Sequence, residues 1–255
     1  MVDLKNLAVN LPKTKKAYLF DSYLSTIESK ILTSYCERNK RCYIVVNETI
    51  FHPQGGGQPT DIGFIAGKTF KLEVKKVLDV NGVVFHYGNL ITDKNSEIFG
   101  EVSLQIDWGR RYRIMRAHTA GHILDFAVNQ IIGSDVETIS ANHSHDISHI
   151  VYRLPPSTNL DIKELENISN NVVKACIPVK STFMSKDEFR ELMKKAPNIG
   201  RLPDMDEYRV VTIEGINAIP CSGTHVANTC EIGRINVIEK KVTEDGIAIF
   251  YTISP

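Results

Sequence analysis

DWGRRYRIMRAHTAGHILDFAVNQIIG, residues 107–133, is the stretch at which the character of the chain changes. Ile114, Ala117, Gly121, Leu124, Val128 and Ile131 recur at intervals of three and four, which aligns them on one face of an α-helix, and Gly133 supplies a stop. The spacing predicts an amphipathic helix over Arg110–Ile132.

Before this stretch the chain reads as β-structure. Ile31–Cys36, Cys42–Val46, Phe70–Val80 and Val83–Tyr87 are β-rich runs parted by turn residues, with no helical periodicity between Lys16 and Asp107. Asn81-Gly82 joins two of them, and both residues tolerate the positive φ of a type I′ turn. A small barrel over residues 1–107 is expected. Beyond the helix, strands are expected at Val136–Ala141 and Ser148–Arg153, and then a helix at Leu160–Cys176. A short helix follows Ser185, which has the capping-box spacing to Glu188. Strands at Tyr208–Ile213, Gly233–Lys240 and Ala248–Ser254 close the chain, the last two joined through Asp245-Gly246. Mixed in this order, the elements predict an α+β domain over residues 108–255.

The bulk numbers narrow the function. The 255 residues suit two modest cores. Thirty basic and thirty acidic side chains cancel, which argues against tight nonspecific binding of a polyanion and leaves local patches such as Arg110, Arg111, Arg113 and Arg116. The alternative is that these arginines form a solvated helix face. Apolar runs such as Tyr43–Val46 and Ile247–Tyr251 are far shorter than a membrane span, and Asp3 and Lys5 do not suit a secretory signal, so a cytoplasmic protein without membrane contact is expected. Five cysteines, an odd count at irregular spacing, point to free thiols or metal ligands rather than bridges.

His118 and His122, four apart on the helix, project from one face and can reach one ion. Cys221 and His225 form a second pair, with Gly223 between them to let the backbone turn. One thiolate and three imidazoles suit tetrahedral zinc better than magnesium or calcium. The alternative is two unrelated core histidines with a buried thiol. Thr119 stands where a zinc peptidase carries its glutamate base, so that mechanism is not indicated. His143, His145 and His149 form a further cluster that could in principle bind metal as well; the alternatives are polar loop residues around a turn or support for the metal pairs. Phe51–Gly63 carries Gly55, Gly56, Gly57 and Gln58 after a strand. No Lys-Ser or Lys-Thr follows, so it is not a nucleotide phosphate loop; it is either a tight connection or bare main chain open to RNA or substrate.

Three segments together resemble the editing domain of alanyl-tRNA synthetase and its free-standing relatives, the AlaX proteins: Phe51–Gly63, Asp107–His122 and Cys221–Gly233. Ser222, His52 and Cys230 depart from the residues common there, and Ala141–Ile150 shows little of the family pattern. The resemblance implies a barrel bearing the glycine-rich motif, as in the longer AlaX proteins, then an α+β editing domain holding zinc through His118, His122, Cys221 and His225. It implies hydrolysis, in trans and without ATP, of serine and in some members glycine wrongly esterified to the tRNA for alanine, in the service of translation fidelity. Whether the ion would activate water or position the substrate's amino group stays open. Arg110, Arg111 and Arg116, with Gly55, Gly56, Gly57 and Gln58, are the expected tRNA contacts. Thr138 is the expected catalytic-pocket residue, pairing with the hydroxyl that separates serine from alanine, and the alternative is a threonine chosen for β-propensity. A zinc hydrolase of another ester or amide, and a non-catalytic RNA-binding protein with a structural zinc, compete with this reading.

Overall fold

The structure, a computed structural model, describes residues 3–37, 40–92, 97–192 and 205–255. The chain divides into two compact units, residues 1–55 with 59–111 and residues 56–58 with 112–255.

The first unit opens with α1 (Leu4–Ala8), capped by the Asp3 carboxylate, and a short strand β1 (Lys15–Lys16). The strands β2 (Thr26–Cys36), β3 (Arg41–Val46), β4 (Glu48–Thr49), β5 (Gly63–Ala66), β6 (Phe70–Val80), β7 (Val83–Thr92) and β8 (Glu101–Ile106) follow. Six of them close into the expected barrel, in the order β2-β3-β7-β6-β5-β8, while β1 pairs in parallel with β4. Closure abolishes open sheet edges, and alternate residues such as Ile44, Leu72, Val74 and Leu104 fill the interior with no exposed surface. Asn81 and Gly82 take φ of 55° and 87° at the β6–β7 turn, as two-residue hairpins of this type require.

An ion pair is sealed within this unit. Arg111 has no exposed surface, and its guanidinium binds the Asp61 carboxylate through Nε and Nη2. Nη1 and Nη2 also donate to the carbonyl oxygens of Ser22 and Ile50 at 3.1 and 2.6 Å. Asp61 accepts the His52 backbone N–H at 2.6 Å. This corrects the expectation that Arg111 contacts tRNA, because every donor shown faces the protein interior.

In the second unit, α2 (Trp108–Ile132), which starts in the first unit, is followed by β9 (Thr138–Asn142), β10 (Ser148–Tyr152), α3 (Ile162–Lys174), β11 (Val179–Ser185), α4 (Lys186–Leu192), β12 (Glu207–Ile213), β13 (Asn217–Pro220), β14 (Arg234–Val242) and β15 (Ile247–Ser254). One antiparallel sheet has the order β14-β15-β10-β9 and a second the order β11-β12-β13. Asn170 of α3 binds both backbone groups of Ile235, and Glu166 takes the Val237 N–H, so the helix is pinned to β14 by side chains. Gly133 ends α2 at φ 76°, and the Ser185–Glu188 box starts α4, both as expected. The amphipathic reading of α2 needs correction: residues 117–124 are buried without interruption, so the helix is a core element. Among the described residues no helix is long and apolar enough to cross a membrane.

The cysteine expectation is also corrected. Cys36 and Cys42 face each other in the β2–β3 register and are bridged. Cys176 and Cys230 are bridged where Pro178 pairs with Asn228 and Thr229 binds the Ile177 backbone. Cys221 is the free cysteine among the described residues.

Removing one partner of a buried ion pair leaves the other charge uncompensated, a loss of roughly 3–5 kcal/mol. Arg111→Ala is therefore expected to lower the unfolding free energy by that amount, read in urea as a lower midpoint with an unchanged slope. An unaltered midpoint would contradict the structural role.

Candidate metal centre

Two turns of α2 and one loop after β13 build the centre. His118 and His122 project from the same face of α2, and Cys221 and His225 come from the loop. The loop is tethered to β12: Cys221 N–H donates to the Arg209 carbonyl at 3.0 Å, and Arg209 Nη1 donates back to the carbonyls of Cys221 and Gly223 at 2.7 and 3.0 Å. Gly223 is required by proximity, since a Cβ there would stand 2.2 Å from His118 Cε1.

One donor atom from each of the four side chains lies within 4.8 Å of the others, so the group could hold a metal ion. Cys221 Sγ lies 3.5 Å from His118 Nε2 and 3.3 Å from His225 Nε2. With zinc–sulfur and zinc–nitrogen bonds of about 2.3 and 2.0–2.1 Å at tetrahedral angles, that edge is about 3.5 Å. The donors thus match a tetrahedral ion in kind, and the two edges from Cys221 match it in spacing.

Hydrogen bonds select the ligand nitrogens. Thr119 gives its hydroxyl hydrogen to the Met115 carbonyl at 2.9 Å, so toward His225 Nδ1, 3.1 Å away, it accepts. Gln58 donates through Nε2 to Thr224 Oγ1, and its Oε1 accepts from the Thr224 N–H and from His118 Nδ1 at 3.0 Å. Both histidines therefore carry their hydrogen on Nδ1 and turn the Nε2 lone pair to the cluster, the arrangement that outer hydrogen bonds impose at metal sites. His122 is held by its backbone, whose carbonyl accepts from Asn217 Nδ2. Its Nδ1 is buried without a hydrogen-bond partner, so the protein alone leaves this ring unsatisfied.

Burial, then the Arg209 cation, pushes His122 down to about 4, so the imidazole is neutral and ready to ligate near pH 7. Burial pushes the Cys221 thiol up, against the Gly223 N–H and Arg209, which favour the thiolate. Burial, then His122 and His149, pushes His143 down to about 3.

The other expected site residues fall into three groups. Gln58 is 1% exposed and orients a ligand, which corrects its assignment to tRNA contact. Gly57 sits at φ 75° with its carbonyl accepting the His143 N–H, whereas Gly55 and Gly56 are exposed. Arg116 sends Nε and Nη2 to the Ile232 carbonyl and Nη2 to that of Ser254, and it is half-buried, as is Arg110. Thr138 donates its hydroxyl hydrogen to Asp125 Oδ1 at 3.2 Å, and Tyr152 donates to the same oxygen at 2.9 Å. Asp125 continues the His118–His122 stripe at the next helical step. Sequence reasoning missed Gln58 and Arg209 as partners of the centre, because only folding brings each beside it, and it missed Thr119 because its bond to His225 crosses to a distant loop.

The model of class II (A) tRNA synthetases matches residues 4–110, and that of the threonyl and alanyl tRNA synthetase second additional domain matches residues 208–248, which contain Cys221 and His225. The alanine–tRNA ligase of Sulfurisphaera tokodaii is 33% identical over 260 residues, 96% of this chain and 26% of the ligase. That of Methanopyrus kandleri is 33% identical over 248 residues, 96% of this chain and 27% of the ligase. This chain is an AlaX-like homologue of the alanyl-tRNA synthetase editing domain. It spans about a quarter of the length of the curated relatives it matches. In the editing-domain homologue, the match at 208–248 covers the metal loop together with Arg209, which tethers it.

The purified protein is expected to carry about one metal ion per chain, lost in Cys221→Ala or His122→Ala. Gln58→Leu should keep the fold but weaken zinc binding roughly 10- to 100-fold. Metal analysis and chelator competition decide both, and a folded parental protein that binds no metal would contradict the first.

Burial pushes Asp125 up to about 6 from its ordinary 3.8, against the bonds from Tyr152 and Thr138. A carboxyl raised on folding contributes stability that is full below its unfolded value and lost as pH rises through its folded value. The Tm of Asp125→Asn relative to the parental protein should accordingly climb between about pH 4 and pH 6 and level off above about pH 7, and a pH-independent gap would refute this.

Proposed function

We propose that this chain hydrolyses the ester that joins a wrongly attached serine, and by the same chemistry glycine, to the tRNA for alanine. The convergence of His118, His122, Cys221 and His225, within a chain homologous to alanine–tRNA ligases along nearly its whole length, carries the reading. We assign zinc as the ion, on the donor set and the sulfur–nitrogen spacing. Bound zinc supplies Lewis-acid chemistry toward the ester or its amino group.

The protein's own groups divide the remaining work. Gln58 and Thr119 hold the lone pairs of His118 and His225 toward one point, and Arg209 and Gly223 shape the loop that brings Cys221 there. Thr138 is our specificity residue. Its hydrogen goes to the Asp125 carboxylate, so toward a further partner its oxygen acts as an acceptor. A seryl hydroxyl can donate to it; an alanyl methyl cannot, and size alone would admit both. The exposed Gly55 and Gly56 and the half-buried Arg110 are our candidates for touching the tRNA. The reaction needs no ATP, since hydrolysis of an aminoacyl ester is downhill, and we place it in the cytoplasm, where tRNA is charged.

Four protein donors around one ion also occur in structural zinc sites, which favours, as a second reading, an RNA-binding protein without catalysis. One assay separates the two. Seryl-, glycyl- and alanyl-tRNA for alanine are presented to the purified chain, and release is followed beside the metal content of the same sample. Release of serine with alanine retained is expected, and retention of all three with zinc bound would leave the structural reading standing. Thr138→Val should slow serine release roughly tenfold, the loss of one hydrogen bond of about 1.5 kcal/mol, with alanine release little changed. Parental rate and selectivity in that variant would remove Thr138 from the pocket.

A further inference from the structure

His143, His145 and His149 part company in the fold. His145 faces Asp146 at 3.2 Å, and His149 rests against the Phe250 ring. His143 is buried and lies on a ligand: its ring stacks on that of His118, with centroids 4.3 Å apart and planes 17° from parallel.

Separate parts of the second unit hold His143 there. Its backbone N–H donates to the Gly57 carbonyl at 2.8 Å. Tyr251 gives its hydroxyl hydrogen to the Ala117 carbonyl at 2.9 Å, so its oxygen accepts from His143 Nδ1 at 2.8 Å. Gly121 leaves the room, because a Cβ at that position would stand 2.4 Å from His143 Cε1.

We propose that His143 is a positioning residue of the metal centre, the flat face against which the His118 imidazole is aligned. The lone pair of an imidazole lies in the ring plane, so the plane must be held for Nε2 to meet an ion. The bond from Nδ1 to Gln58 fixes the tilt of the ring within its plane but lets it roll about the line of that bond. A parallel ring at stacking distance removes the roll. The glycine-rich loop therefore acts twice on one ligand, through Gln58 on its edge and through the Gly57 carbonyl on its neighbour.

The proposal rests on the metal-binding reading of the four ligands and not on the deacylation, so its test uses metal alone. Zinc affinity by chelator competition and the ligand-field spectrum of the cobalt(II) form are measured for the parental protein, His143→Ala and His143→Phe, with circular dichroism reporting the fold. The alanine variant should bind zinc roughly 10- to 100-fold more weakly and show an altered cobalt spectrum. The phenylalanine variant keeps a flat face, loses the bond to Tyr251 and should stay within about threefold of the parental affinity. If the alanine variant does not fold, His143→Leu takes its place, having bulk without a flat face. Parental affinity and spectrum in the alanine or leucine variant would overturn the proposal, and so would equal losses in the flat and non-flat variants. A parental protein that binds neither metal would instead sink the reading of the ligands themselves.

Discussion

A single oxygen, Gln58 Oε1, accepts from the Thr224 backbone and from His118 Nδ1, and the metal centre depends on it. Three segments far apart in sequence meet at that atom: the glycine-rich loop, the helix of the two histidines and the loop of Cys221 and His225. Shielded from water, a hydrogen bond of this kind is electrostatically stronger than at the surface, and an unpaired member of it is correspondingly costly. The same amide group thus closes the loop and selects the nitrogen that His118 turns inward.

Convergence of this density needs backbone where side chains would stand. Gly223 lets the loop pass His118, and Gly121 lets His143 lie against the helix. Such glycines weaken local structure, and a glycine in a helix interior costs about 0.5–1 kcal/mol relative to alanine. Around α2 the loss is offset by burial, since residues 117–124 are all removed from water. Arg209 adds an electrostatic part: its cation beside Cys221 favours the thiolate and, beside His122, the neutral imidazole, which are the two forms that ligate.

Elements with a strong local signal were legible. The Asn81-Gly82 hairpin, the extent of α2 and the Ser185–Glu188 cap follow from backbone conformation and spacing that need no distant partner. Val179–Ser185 was not legible as a strand, for most of its side chains are exposed or half-exposed and nothing imposes alternation. The arginine at 111 misled because a guanidinium reads alike in sequence whether its donors meet phosphate or a buried carboxylate and main-chain carbonyls. The bridges misled for a similar reason: the partner of Cys36 is set by strand register, and that of Cys230 by a bridge between two loops.

By itself the sequence determined that a helix carries two histidines on one face, that a Cys–His pair stands far along the chain, and that a barrel precedes them, since each rests on spacing within one segment. The tertiary structure alone decided which atoms of those residues converge, which glutamine and threonine orient them, and which of the three clustered histidines joins the centre. Those outcomes depend on hydrogen-bond direction and ring-plane geometry between segments up to 166 residues apart, as Gln58 and Thr224 are, and no periodicity in the chain encodes them.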